Sequence, residues 1–226
     1  MRVLATTLVV GFALVLAGCG GGSKSNGESS NTPSQVLKDT LSATHSASSV
    51  HISGKLSTDG KPISIDIRIV RGEGGKGSMA TNGLRFDLIR AADKVYIRGS
   101  DAFYKKFTGS AGAQLFHGRW LEYPSSNPDM ASITPFTDID TFFRGITSQH
   151  GKLANEGETS FHGQKAVAIR DTTQGGTLYI AATGKPYPLG ISGSGANNGT
   201  ILFTDWNASA SVKAPANPVD VSKIKG

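Results

Sequence analysis

Residues 50–70 read VHISGKLSTDGKPISIDIRIV, and their patterning decides the fold. In the second half, Ile63, Ile65, Ile67 and Ile69 alternate with Ser64, Asp66 and Arg68. Successive side chains of an extended chain point to opposite faces, so this stretch is a strand with four isoleucines on one side and polar groups on the other. The first half repeats the pattern, with Val50, Ile52 and Leu56 set against His51, Ser53 and Lys55. Between them, STDGKP at 57–62 has the composition of a turn. Two half-buried strands joined this closely form an antiparallel pair.

The same period continues downstream. Strands are expected at 77–81, 84–90 and 95–98, separated by TNG and AADK. Such connections are too short for parallel crossovers, so these strands form a meander. Residues 101–123, DAFYKKFTGSAGAQLFHGRWLEY, are less regular and mix short helical possibilities with a strand at Trp120. A second meander closes the chain at 152–158, 164–171, 176–181, 188–192, 200–206 and 211–213. Its strands are punctuated by FHGQ, TTQG, ATGKP and GANNG.

Two segments have helical spacing instead. Thr32-Pro33-Ser34-Gln35 supplies an N-cap, a proline at the first helical position and a glutamine three residues after the cap. Val36, Leu37, Thr40, Leu41 and Thr44 then form a narrow stripe that SASS at 46–49 ends. Over 138–150, Ile139, Phe142, Phe143 and Ile146 recur at i, i+3, i+4 and i+7, with Thr137 or Asp138 as the cap. The fold class is therefore mainly antiparallel β with α, an α+β domain over residues 32–226. A sheet of about ten strands this large curls, giving a curved half-barrel with two or three helices covering its concave face. Its inner wall is expected from Ile63, Ile65, Ile67 and Ile69, from Leu84, Phe86 and Leu88, and from Phe142, Phe143 and Ile146 on the later helix. Such a wall either fills with its own side chains or stays open to an apolar ligand.

The amino terminus carries a different message. Arg2 precedes a mostly apolar run over 3–16, and Leu16-Ala17-Gly18 places small residues before Cys19, the chain's one cysteine. This is the layout of a secretory signal peptide over residues 1–18. The run is interrupted by Thr6, Thr7 and Gly11 and falls short of the ~20 apolar residues of a membrane span. LAGC at 16–19 resembles the lipobox of bacterial lipoproteins. That resemblance implies a thiol carrying a diacylglyceryl group, cleavage just before Cys19, and an extracytoplasmic domain anchored to the cell membrane. Residues 20–31, GGGSKSNGESSN, have few hydrophobes, so 19–31 reads as a lipidated flexible linker.

Composition and motif searches narrow the function. Loss of Arg2 with the leader leaves +5 of the formal +6 charge, and no Lys/Arg cluster is interleaved with aromatics as a nucleic-acid groove requires. With Cys19 acylated there is no disulfide, so stability rests on a packed core. There is no Gly-x-Ser-x-Gly elbow, and His45, His51, His117, His150 and His162 fall in no metal-ligand spacing. Asp138 and Asp140 sit where a helix start favours acidic groups. The glycine-rich RGEGGKGS at 71–78 lacks the Gly-Lys-Ser/Thr order of a phosphate loop and runs into a strand. The chain reads as a non-enzyme without cofactor or metal.

The order KVYIRGS, AFYKKF and GRWLEY, then HGQKAVAIRD, GGTLYIAATGKPYPLGIS and GTILFTDWN, resembles the exported actinobacterial lipoproteins of the LppX/LprG kind and the wider LolA-like group. The resemblance spans most of residues 32–215. It implies a half-open antiparallel barrel, with helices across its mouth, that holds acyl chains of lipids or lipidated molecules in transit. It carries over no catalytic residue. The competing expectation is a non-catalytic envelope interaction or sensor module with a filled core.

Overall fold

The computed structural model describes residues 24–58 and 60–224; the leader and Cys19 lie outside them. Twelve strands are present among the described residues: β1 (Ser49–Thr58), β2 (Lys61–Val70), β3 (Gly74–Thr81), β4 (Leu84–Ala91), β5 (Lys94–Gly99), β6 (Leu121–Pro124), β7 (Leu153–Phe161), β8 (Gln164–Asp171), β9 (Thr177–Ala181), β10 (Pro188–Gly193), β11 (Gly199–Thr204) and β12 (Val219–Asp220). Three α-helices accompany them: α1 (Pro33–His45), α2 (Asp101–Phe116) and α3 (Ile139–Ser148). No helix among the described residues is long and apolar enough to cross a membrane.

All twelve strands belong to one sheet, ordered β12-β6-β5-β4-β3-β2-β1-β11-β10-β9-β8-β7. The first hairpin pairs Val50 with Ile69 and Ile52 with Ile67, which stacks its apolar side chains on one face. β1 also pairs with β11, His51 opposite Thr204 and Leu56 opposite Gly199, so the hairpin sits at the centre and joins the two meanders. The sheet curves but does not close: β7 and β12 remain as its edges.

Each helix covers part of the inner face. Val36 of α1 packs with Val167, Ile169, Ile180 and Ala182 from β8, β9 and the turn after it. α3 presses Ile139, Phe142 and Phe143 onto Val50, Ile52, Ile67, Ile69 and Phe203. Phe143 stands edge-on to Phe203 with ring centres 5.0 Å apart. α2 packs through Phe103 against Phe86, at 5.2 Å, and through Tyr104 against Phe116 and Leu121. The caps follow the reading of the sequence: Thr32 Oγ1 accepts from Gln35 N at 3.3 Å, and Asp138 Oδ1 from Thr141 N at 2.8 Å.

Four details differ from the expectations. Residues 101–116 form a helix whose core side chains, Tyr104 and Phe116, lie twelve residues apart while Phe107 and Leu115 stay exposed, so no stripe marks it. The strand expected at Trp120 begins one residue later, at Leu121. Residues 211–213 form no strand; Val212 N donates to Glu73 Oε2 at 2.8 Å, and the last strand is β12, parallel to β6. Residues 25–31, expected in the linker, dock on the sheet instead. Asn26 Nδ2 donates to Ala181 O at 2.8 Å, and Asn155 Nδ2 donates to Glu28 O at 3.0 Å and Asn31 O at 2.8 Å. A polar segment can be ordered this way, by amide hydrogen bonds that satisfy its backbone instead of by apolar burial.

Candidate ligand-binding cavity

A cavity of about 650 Å³ opens between α2, the segment 129–136 and the inner faces of β3–β6. Its position follows from two breaks in helix continuity. α2 is interrupted at Gly109, whose φ of 74° and ψ of 179° belong to a region that only glycine occupies readily. The first half of the helix therefore leans over β4 and β5 at its own angle, with Tyr104 still packed against Phe116 of the second. After β6 the chain makes only short 3-10 turns, Pro128–Met130 and Thr134–Thr137. Hydroxyl bonds hold them in place, Thr134 Oγ1 to Met130 O and Thr137 Oγ1 to Thr134 O, both 2.7 Å. Gly75 admits the second turn onto β3, because a Cβ there would stand 3.0 Å from Thr137 Cα. This close approach gives part of the glycine-rich stretch at 71–78 a packing role.

The wall is formed by Met79, Leu84, Phe86, Ile97, Phe103, Met130, Ile133 and Phe136, with Phe107 at the rim, 65% exposed. Polar groups are few. Tyr104 lends its ring while its hydroxyl donates to Arg119 O at 2.8 Å. Thr81, Thr108, Ser132 and Asp129 add short polar side chains. Tyr123 also lines the space; burial, with Tyr104 and Asp129 nearby, pushes its phenol up from the ordinary value. Such a site can hold apolar surface out of water and offers few groups for chemistry.

Of the side chains expected to line a cavity, Leu84 and Phe86 do so. Ile67, Ile69, Leu88 and Phe143 are instead sealed in the core, and Ile65 and Phe142 are buried in the same cluster. Ile63 is partly buried and stands outside the cavity wall. Ile146 lines a separate recess of about 150 Å³ with Leu37, Leu153 and Ile169. The reason is the bulk of α3: Phe142 and Phe143, with Phe203 and Trp206, fill the middle of the concave face. The larger space survives toward the β6 side, where α2 and the 3-10 turns cover the sheet. Phe103, Phe107, Met130, Ile133 and Phe136 were missed as lining; the i, i+4 spacing of Phe103 and Phe107 is the sequence signal that marks two of them.

Other polar groups have structural partners. Asp138 caps α3 and Asp140 pairs with Arg71. His45, His51 and His117 each face a carboxylate, on Asp140, Asp66 and Asp101. Among the described residues no group of three His, Cys, Asp or Glu converges on a metal position.

No family model matches the chain, and no curated protein matches it. Solved structures do. The crystal structure of LprF from Mycobacterium bovis aligns with a TM-score of 0.55 at 15% identity, over 87% of this chain and 100% of that one. The Mycobacterium tuberculosis lipoprotein LppX aligns with a TM-score of 0.50 at 17% identity, over 80% of this chain and 100% of that one. The chain has the fold of LprF and the lipoprotein LppX, an open curved antiparallel sheet with helices on its inner face.

Proposed function

We propose that the protein is a membrane-anchored carrier that takes an acyl chain or another apolar ligand into the cavity beneath α2. The observation that carries this reading is the apolar cavity of about 650 Å³, within the range of ~300–1,000 Å³ usual for ligand sites. Transfer of ligand surface from water into it gains about 25 cal/mol per Å². The first half of α2, which bears Phe103 and Phe107 and is separated from the rest at Gly109, is the cover that moves on loading and release. Acylated Cys19 holds the domain beside the bilayer on the extracytoplasmic side, since two acyl chains give stable anchoring at ~0.8 kcal/mol per buried methylene. Likeness in fold to LppX, described as a lipoprotein, supports the placement.

The solid centre under α3 favours a second reading, a non-catalytic envelope interaction or sensor module. Native mass spectrometry of the full chain taken from its own membrane separates the two. Bound lipid that is lost in Leu84→Trp, which fills the cavity from β4, supports the carrier; a chain that is empty before and after the substitution supports the module.

A further inference from the structure

We infer that the cavity takes an uncharged amphiphile with a single hydrocarbon chain and a hydroxyl-bearing head, of the monoacylglycerol or long-chain alcohol kind. The inference rests on the carrier reading and specifies its ligand. Three observations carry it: the size of the space, the absence of cations from its wall, and an unengaged phenol within it.

Size favours a single chain. A water molecule's share of liquid volume is about 30 Å³, and a methylene group is of similar size, so the cavity admits about twenty such groups. That is one chain of ordinary length with a small head. A second chain of the same length would have to lie outside the about 650 Å³ held here, along the open mouth.

Charge decides the head. Among the described residues no Lys, Arg or His lines the cavity, and the one charged side chain in its wall is Asp129. Lys105 and Lys106 of α2 are exposed and stand outside the lining. An anionic head at this end of the space gains no cation from the wall and meets the exposed Asp129 carboxylate of like sign. A fatty acid anion or an anionic phospholipid is disfavoured on both counts.

The phenol supplies what a neutral head needs. Tyr123 is partly buried in the lining, and its hydroxyl has no hydrogen-bond partner among the described residues, in contrast to that of Tyr104. A phenol both donates and accepts, as does an alcohol, so a hydroxyl head satisfies it while Asp129 accepts a second hydrogen bond. The bare end of the chain then lies among Phe86, Phe103, Ile133 and Phe136.

The test is native mass spectrometry of the full chain in detergent micelles, stripped of lipid and offered monopalmitoylglycerol, palmitate and dipalmitoylphosphatidylglycerol in equal amounts at pH 7.5. The expected result is a one-to-one complex with monopalmitoylglycerol in about tenfold excess over either anion, equivalent to about 1.4 kcal/mol. Asp129→Asn raises the palmitate complex several-fold relative to the monopalmitoylglycerol complex, because the like charge is gone, whereas Tyr123→Phe lowers the monopalmitoylglycerol complex several-fold. Equal or stronger binding of palmitate or of the two-chain lipid overturns the inference and leaves the carrier standing. If none of the three probes binds, the carrier reading itself falls.

Discussion

Arg71 grips Asp140 through two parallel hydrogen bonds, each 2.9 Å, so that the end of the first hairpin is pinned to the first turn of α3. The same guanidinium donates to Ala47 O at 2.7 Å and Thr44 O at 2.9 Å, drawing in the last turn of α1 and the residues that follow it. Hydrogen bonding to Arg71 holds the Asp140 carboxyl below the usual carboxylate range, and His45 adds to the effect. A carboxyl whose value falls on folding stabilises the protein above its unfolded value of about 3.9 and loses that contribution as pH drops through the folded value. Asp171 acts with the same sign, because the backbone N–H groups of Gln174, Gly151 and Thr173 bind its carboxylate. Asp140→Asn is expected to lower stability by about 1–2 kcal/mol at pH 7, as for a charge-assisted hydrogen bond. In denaturant titrations its deficit against the parent should shrink below about pH 4. A deficit that stays constant down to pH 2 is inconsistent with the pairing.

Phe143 is fully buried between α3 and the sheet, touching Phe142, Phe203 and Trp206. Truncation there leaves a void in a packed centre, so Phe143→Ala should cost about 3–5 kcal/mol. Bound ligand per folded molecule should stay unchanged, because the ring is not part of the cavity wall. Thermal melting read alongside lipid content by mass spectrometry checks both halves. Lost lipid with an unaltered Tm assigns Phe143 to the site.

Much of this architecture is legible in the chain because alternation is a strong signal. Ile63 to Ile69 and Val50 to Leu56 locate the central hairpin, and α1 and α3 are marked by Thr32-Pro33 and by Asp138 with its apolar i, i+3, i+4 pattern. The pairing of β1 with β11 is not marked by any local pattern, since it depends on how far the second meander curls back. The location of the cavity is hidden for a related reason. Alternating isoleucines look the same whether an aromatic helix or empty space faces them, and only the placement of Phe142 and Phe143 over Phe203 decides which. The cavity wall comes from α2 and from 129–136, where glycines and prolines break the periodicity that reveals a buried face.

Asn155 presents the clearest case of order without hydrophobes. Its side-chain amide donates to Glu28 O and Asn31 O, and its Oδ1 accepts from Gly157 N at 2.9 Å where β7 carries an irregularity. Asn155→Ala removes these bonds and leaves backbone carbonyls to find water, at about 1–3 kcal/mol if they stay buried. The expected outcome is faster hydrogen exchange over residues 25–31 with α1 still protected, since Val36 keeps its place against Val167 and Ile180. Unchanged exchange in 25–31 would mean that other contacts hold the segment.

Gly109 tests whether the break in α2 serves the cavity. Its φ of 74° and ψ of 179° cost any residue with a Cβ about 1–3 kcal/mol, although no heavy atom stands within 4 Å of where that Cβ would be. The strain of Gly109→Ala is therefore purely conformational, and the chain relieves it by rotating the backbone at 109. Rotation swings the first half of α2 relative to the second. Phe116 of the second half packs on Tyr104 of the first and on Leu121 of β6, so the swing strains this contact as well as that of Phe103 with Phe86. Displacing Phe103 from Phe86 opens the cavity wall. Hydrogen exchange should accelerate across residues 101–108, and retention of bound monopalmitoylglycerol should fall several-fold in native mass spectrometry. The central core should keep its protection, since Phe143 and Phe203 lie in a different part of the sheet. A variant with faster exchange at 101–108 and undiminished retention would separate the helix break from ligand holding, leaving α2 as a fixed wall of the cavity.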